Sequence, residues 1–265
     1  MVDKNWSSVP ERAYRLINRG YRKAKAEVTG ADMQVIFSER AGFAYVPVPK
    51  VANSTIKRAL LDWMDPVAAS RAEQRGHVEI HDYFRFRPSF LITEDRFKAM
   101  NVYKFAVVRD PVSRFVSAYT NRIHDHRDLE TTPTDILMLE EAGLPLKPDL
   151  NTFALNIQPY CAACVSIKMH LNPQINVLRD PALYDRIYSV GELDQLRADL
   201  IKTCGVTLDF GRSNPSSMKK PQLSADALQT VLRYYAPDYQ AFPRLLKGLT
   251  SSDAKTASPA RKAAG

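Results

Sequence analysis

The stretch Ala44–Leu60, AYVPVPKVANSTIKRAL, constrains this chain more than any other. An apolar run, Phe43–Val48, carries Pro47 and stops at Pro49. Lys50 and a small, polar loop (Val51, Ala52, Asn53, Ser54, Thr55) follow, and then Ile56, Leu60 and Trp63 recur on one helical face. The pattern predicts a strand, a tight loop and a helix N-terminus. Such a junction attracts phosphate, because the first helical amides are unpaired and the macrodipole adds partial positive charge. Lys50 and the hydroxyls of Ser54 and Thr55 add donors to the same loop. An ordinary βα turn with Ser54 as N-cap accounts for the same residues, so on this stretch alone both readings stand.

A second constraint lies downstream, in VYKFAVVRDPVSRFVSAYTNRI. Val102–Val108 is dense in β-branched and aromatic residues, as a buried parallel strand is. Arg109-Asp110-Pro111 ends it, with Asp110 placed as an N-cap and proline suited to the first helical position. A helix is expected from there through Phe115, Val116, Tyr119 and Ile123. Further strands are expected at Met33–Phe37, Gln174–Leu178 and Arg186–Val190. Helices are expected at Asp95–Met100, Pro133–Ala142, Leu150–Gln158, Gly191–Cys204 (closed by Gly205) and Ala225–Tyr235 (capped by Ser224). Strands alternating with helices predict an α/β fold, a mostly parallel central sheet flanked by helices. Ligands in such sheets sit beyond the carboxyl ends of the strands, where both motifs fall.

The whole is expected as a single domain, residues 31–249. A basic helix within residues 1–30 precedes it, and a tail of low hydrophobicity, 250–265, is expected to be disordered. The basic helix could lie on a membrane surface or a nucleic acid, though a solvated cationic face explains it as well. The formal net charge of +8 points to an anionic partner without choosing one. No window is apolar for long enough to span a bilayer. The N-terminus lacks the apolar core of a signal peptide, so a cytoplasmic location is expected. Cys161 and Cys164 form a single CxxC, more in keeping with residues in or beside a core than with zinc ligands.

Neither loop matches the GxxxxGK[ST] motif, since Lys50 precedes its loop instead of closing it. Asp110 is the only evident aspartate at a strand end that could hold magnesium, which counts against an ATP-dependent kinase. A phosphoryl transferase and, further off, a basic nucleic-acid-binding module remain as alternatives; no nucleic-acid reader motif is present. The pair VPKVANSTIKRAL and VVRDPVSRFVSAY resembles the two cofactor signatures of sulfotransferases that use 3′-phosphoadenosine 5′-phosphosulfate (PAPS). The likeness is greatest to the carbohydrate sulfotransferases, with their PKVA-x-[ST]-x-x-KR and RDP-x-x-R-x-VSAY motifs. Tyr184-Asp185-Arg186-Ile187, Val190-Gly191-Glu192-Leu193 and Asn214–Ser217 extend the resemblance, as do Leu223 and the Tyr235, Asp238, Tyr239, Phe242 pattern.

The resemblance implies a P-loop-like α/β fold and an enzyme that moves a sulfuryl group from PAPS to a hydroxyl of a carbohydrate or glycoconjugate, itself often anionic, without a metal. It assigns Lys50 to the leaving phosphate, and Ala52, Asn53, Ser54 and Thr55 to the 5′-phosphate. Arg109 and Ser117 take the 3′-phosphate. A general base is needed for the acceptor hydroxyl. Arg75-Gly76-His77-Val78 resembles the HGHV stretch that carries the proposed base of heparan-type 2-O-sulfotransferases, which makes His77 the first candidate. His81 is the second and Glu79 the third. His170, in MHLNPQ, resembles a family segment expected to position the insertion or the acceptor. Arg85, Arg87 and Arg122 are candidates for receiving an acidic acceptor.

Overall fold

The computed structural model describes residues 33–75, 78–85, 87–211 and 222–246. The basic N-terminal helix, the polar loop 212–221, the tail and His77 therefore lie outside the described residues, as do the side chains of residues 74, 75, 78 and 79.

The chain begins with two short strands, β1 (Met33–Gln34) and β2 (Ile36–Ser38), and turns at Gly42 into β3 (Phe43–Val46). Every residue of β3 is buried, as expected of an interior strand covered on both faces. Helices α1 (Asn53–Met64), α2 (Pro66–Arg75) and α3 (Val78–Arg85) follow, then β4 (Leu91–Ile92), α4 (Glu94–Ala99) and β5 (Tyr103–Val108). The last four residues of β5 are buried, matching its apolar run. α5 (Pro111–Ala118) runs directly into a π-helical turn, Tyr119–Asp125. Five helices succeed it: α6 (Pro133–Glu141), α7 (Leu150–Leu155), α8 (Ile157–Ala163), α9 (Val165–Leu171) and α10 (Gln174–Leu178). β6 (Arg186–Ser189), α11 (Leu193–Cys204), α12 (Ala225–Tyr234) and α13 (Ala236–Ala241) complete the fold.

The main sheet has the order β2-β3-β5-β6. β3, β5 and β6 are parallel, with Val46 opposite Ala106 and Val108 opposite Ser189, while β2 is an antiparallel edge. β1 and β4 form a separate antiparallel pair. The α/β reading is thus correct, with one antiparallel strand added. Aromatic side chains knit the centre: Tyr45 stacks on Phe105 with ring centroids 5.2 Å apart, and Phe43 meets Trp63 of α1 at 5.7 Å. Each such pair contributes about 0.5–1.5 kcal/mol beyond its buried area. Ile56 and Leu60 of α1 are fully buried, whereas Trp63, on the same face, is partly exposed where it meets Phe43.

A second core, built by α5, α7, α8, α9 and α12 around Phe115, Phe153, Tyr160 and Tyr235, forms a helical layer beside the sheet. Cys164 is buried in it and the Cys161 thiol packs against the Tyr234 hydroxyl; burial pushes both thiols up to about 11.

One expected strand is a helix. Gln174–Leu178 is α10, and a five-residue apolar run cannot by itself distinguish the two forms. Tertiary contacts decide it: Asp238 of α13 accepts from the Ile175 amide at 2.9 Å, acting as a cap from a distant segment. The fully buried Gln174 side chain bonds the backbone of Arg109 instead of a neighbouring strand.

Candidate active site

Both sequence motifs emerge at the carboxyl ends of adjacent parallel strands, β3 and β5. The loop after β3 is pinned by Val48 and Val51, both fully buried. Between and beyond them Lys50 and Ala52 adopt left-handed backbone conformations, with φ of 67° and 62°. Neither is glycine, so each position carries strain on the order of 1 kcal/mol or more. Strain of this kind persists where a loop must hold a particular shape.

The shape leaves the start of α1 open. Its N-cap position is Ala52, which has no side chain able to accept from the helix. Ser54 does not cap the helix, contrary to the plain βα-turn reading. It lies within the first turn, and its Oγ is 3.0 Å from Nε2 of His81 on α3. The Asn53 amide oxygen is likewise engaged, accepting from the Tyr45 hydroxyl at 3.3 Å. Two side chains that could have covered the first-turn amides thus point elsewhere.

Lys50 projects toward the π-helical turn, where its Nζ donates to Asn121 Oδ1 at 2.7 Å. Burial, then the charges of Arg122, Arg109 and Arg114, press its pKa down to about 8 against an opposing pull from Asp125. A cation so crowded by cations stands ready for an anion. Arg109 reaches back from the end of β5 and donates from Nη1 to the Lys50 carbonyl at 3.3 Å. Its backbone is held on both sides by Gln174, which accepts from the Arg109 amide and donates to its carbonyl, each at 2.9 Å. Burial lowers the Arg109 pKa. Asp110 is the N-cap of α5, accepting from the Ser113 amide at 2.7 Å, and it also accepts from the Tyr239 hydroxyl. Ser117 sits half-buried about two turns into α5.

Arg114, one turn into α5, is fully buried. Its Nε donates to the Pro49 carbonyl at 3.0 Å, and its Nη2 donates to the carbonyls of His170 at 3.0 Å and Asn172 at 2.8 Å. One guanidinium therefore ties the lysine loop to the end of α9, while its Nη1 has no hydrogen-bond partner among the described residues. Arg122 pairs with Asp128 at 2.8 Å and donates to Ser166 Oγ at 3.1 Å; Ser166 Oγ also bonds Asp128.

The structure thus brings together Lys50, the Ala52–Thr55 turn, Arg109 and, through Ser54, His81. It adds Arg114, Asn121 and Gln174, and it places His170, singled out from its sequence segment, in the same neighbourhood. Arg114 stands in the second motif, but nothing in its spacing says it is buried or what it joins. Asn121 depends on the π-helical widening of the α5 extension, which has no signature in sequence. Arg87 stacks over the Tyr83 ring, 3.8 Å from its centroid.

Burial, then the charges of Arg122 and Lys50, press the His170 pKa from its usual 6.5 to about 4, against the opposing effects of the Ser166 carbonyl and Asp128. Between those values the unfolded chain binds a proton that the folded protein does not, so stability rises with pH across this window and is complete above it. The urea midpoint is therefore expected to fall between pH 7 and pH 4.5 more steeply in the wild type than in His170→Asn. Equal losses in the two proteins would remove His170 as the cause.

A protein-family model described as "Sulfotransferase family" matches residues 33–181, more than half of the chain. The matched span holds both motifs and every candidate site residue named above. Carbohydrate sulfotransferase 14 of Mus musculus is 30% identical over 96 residues, which is 36% of this chain and 25% of that protein. The aligned stretch thus spans about a quarter of that relative's length. No solved structure matches the chain.

Proposed function

The chain belongs to the sulfotransferase family, and from that premise we propose that it transfers a sulfuryl group from PAPS to a hydroxyl of a carbohydrate or glycoconjugate. The observation that carries this reading is the convergence of Lys50 and Arg109 at neighbouring strand ends, beside an uncapped helix N-terminus. A cation contributed from each of the two strand ends suits a nucleotide phosphorylated at both the 3′ and 5′ positions. The similarity to a carbohydrate sulfotransferase supports the acceptor class.

The residues fit the nucleotide. The first amides of α1, with the hydroxyls of Ser54 and Thr55, hold the 5′-phosphate by donating along the helix dipole. Arg109 and Ser117 would hold the 3′-phosphate, the guanidinium as a charge-assisted donor. Bound in this way, the nucleotide supplies an activated sulfuryl group for in-line displacement. Lys50 neutralises the charge that develops on the departing phosphate oxygen, the largest electrostatic demand of the reaction. Asn121 holds the ammonium, and Gln174 and the Lys50 carbonyl hold the Arg109 backbone and guanidinium, which limits reorganisation as charge moves. His81 sets the Ser54 hydroxyl within the turn.

Adenosine 3′,5′-bisphosphate (PAP) tests the reading without an acceptor. At 100 times its Kd it is expected to add about 2.7 kcal/mol of stability, which raises Tm by roughly 5–10 °C. ATP and buffer are the controls, and a shift with ATP but not PAP would favour a phosphoryl transferase instead. Arg109→Ala is expected to weaken PAP about 10- to 150-fold, the value of one charge-assisted hydrogen bond. Adenosine 5′-monophosphate, which lacks the 3′-phosphate, should bind the variant and the wild type alike. Equal weakening of both nucleotides would remove Arg109 from the 3′-phosphate site.

A further inference from the structure

The acceptor's proton needs a destination, and the surroundings of His170 supply one. Its ring nitrogen Nδ1 lies 2.8 Å from the Ser166 carbonyl oxygen. A carbonyl can only accept, so Nδ1 must carry the proton, and in a neutral imidazole Nε2 is then bare. The backbone of the same residue is fixed independently, because the fully buried Arg114 donates to the His170 carbonyl while also holding the Pro49 carbonyl next to Lys50. The groups acting on the ring come from three directions: Lys50 from the loop after β3, Arg122 from the π-helical turn, and Asp128 from the segment beyond it. Nε2 makes no hydrogen bond among the described residues. A half-buried imidazole of fixed tautomer with an unengaged Nε2 is kept neutral at pH 7 by burial and by the charges of Arg122 and Lys50, and it can take a proton once an anionic nucleotide offsets those charges.

We propose that His170 is the catalytic base of this site, resting on the sulfotransferase reading above. As the acceptor oxygen forms its bond to sulfur, the hydroxyl proton passes to Nε2. The bond between sulfur and the bridging phosphate oxygen breaks, and its electron pair leaves with the phosphate beside Lys50. The imidazolium returns its proton to solvent once the sulfated product has gone, so atoms and charge balance without a further reactant. Arg114 and Ser166 are positioning residues for the ring.

The test uses the full chain and two readouts. In ¹⁵N NMR of the ligand-free protein at pH 7, the His170 ring, assigned by its loss in His170→Asn, is expected to show a protonated Nδ1 and an unprotonated Nε2. The opposite tautomer, or a doubly protonated ring, overturns the proposal. For turnover, PAP release from PAPS is followed with water and with a panel of polysaccharides as acceptors. His170→Ala is expected to lower kcat about 100-fold or more, to keep the PAP-induced Tm shift, and to recover part of the rate with added imidazole. His170→Asn, whose side-chain amide can still donate to the Ser166 carbonyl, should be equally slow and guards against misfolding of the alanine variant. A full rate in both variants overturns the proposal, as does a loss that imidazole does not relieve. So does an imidazole-relieved loss in His77→Ala or His81→Ala in place of His170→Ala. Absence of a PAP shift in the wild type fails the sulfotransferase reading itself, a result distinct from any of these.

Discussion

Lys50→Ala is expected to lower sulfuryl transfer about 100- to 1000-fold, the range found when one preorganised donor to a developing oxyanion is removed. The argument rests on where the ammonium is held. Asn121 fixes Nζ at 2.7 Å, and burial, followed by neighbouring guanidinium groups, brings its pKa down to about 8. A cation in that setting gains more from a new negative charge than an exposed lysine would, because solvent screens it less. Alanine is a fair replacement on the backbone side. Lysine and alanine both carry a Cβ, so the strain at φ 67° is the same in either protein. The variant should therefore melt within about 2 °C of the wild type and still respond to PAP through Arg109 and the α1 amides. Labelled sulfate transferred from PAPS to a carbohydrate panel is the measurement. Retention of more than about a tenth of the wild-type rate would take Lys50 out of the chemistry.

Arg114→Ala is expected to cost about 3–5 kcal/mol of stability, the largest structural loss foreseen for a single replacement here. The fully buried guanidinium satisfies three carbonyls, those of Pro49, His170 and Asn172. Unpaired buried acceptors cost about 1–3 kcal/mol each, and the vacated volume adds a cavity term. Collapse and water entry return part of this, which brings the net into the stated range. For a domain of this size the loss corresponds to a fall in Tm of roughly 6–20 °C. Because the same group joins the lysine loop to α9, the remaining folded protein should also bind PAP more weakly. Arg114→Lys restores the charge but not the forked geometry, so it should recover only a small part of the stability. A variant that melts within about 2 °C of the wild type would show that those carbonyls find other donors.

The parts of the fold that were legible share one property: their signals are local. The β-branched and aromatic runs at Val102–Val108 and Phe43–Val48 carry the signal of interior strands, and Pro111, Gly205 and Ser224 mark helix ends by their own backbone chemistry. Ser54 misleads for a related reason. Its residue type suits an N-cap, but the helix starts one residue before it and its hydroxyl meets His81. Gln174–Leu178 misleads because its form depends on Asp238, more than sixty positions away.

The sequence by itself determined the α/β class, the two loops at strand ends and the presence of Lys50 and Arg109 in them, since each is written in contiguous residue types and periodicity. Only the tertiary structure decided that Arg109 reaches the Lys50 carbonyl, that Asn121 holds the ammonium, and that Arg114 joins Pro49 to His170. Those contacts join residues more than fifty positions apart, and their partners are mostly backbone carbonyls. A carbonyl is present at every position of the chain, so no residue type announces which one will accept. Its choice follows from packing α5 against α9 beside the loop after β3, where burial leaves the Arg114 guanidinium no solvent to turn to.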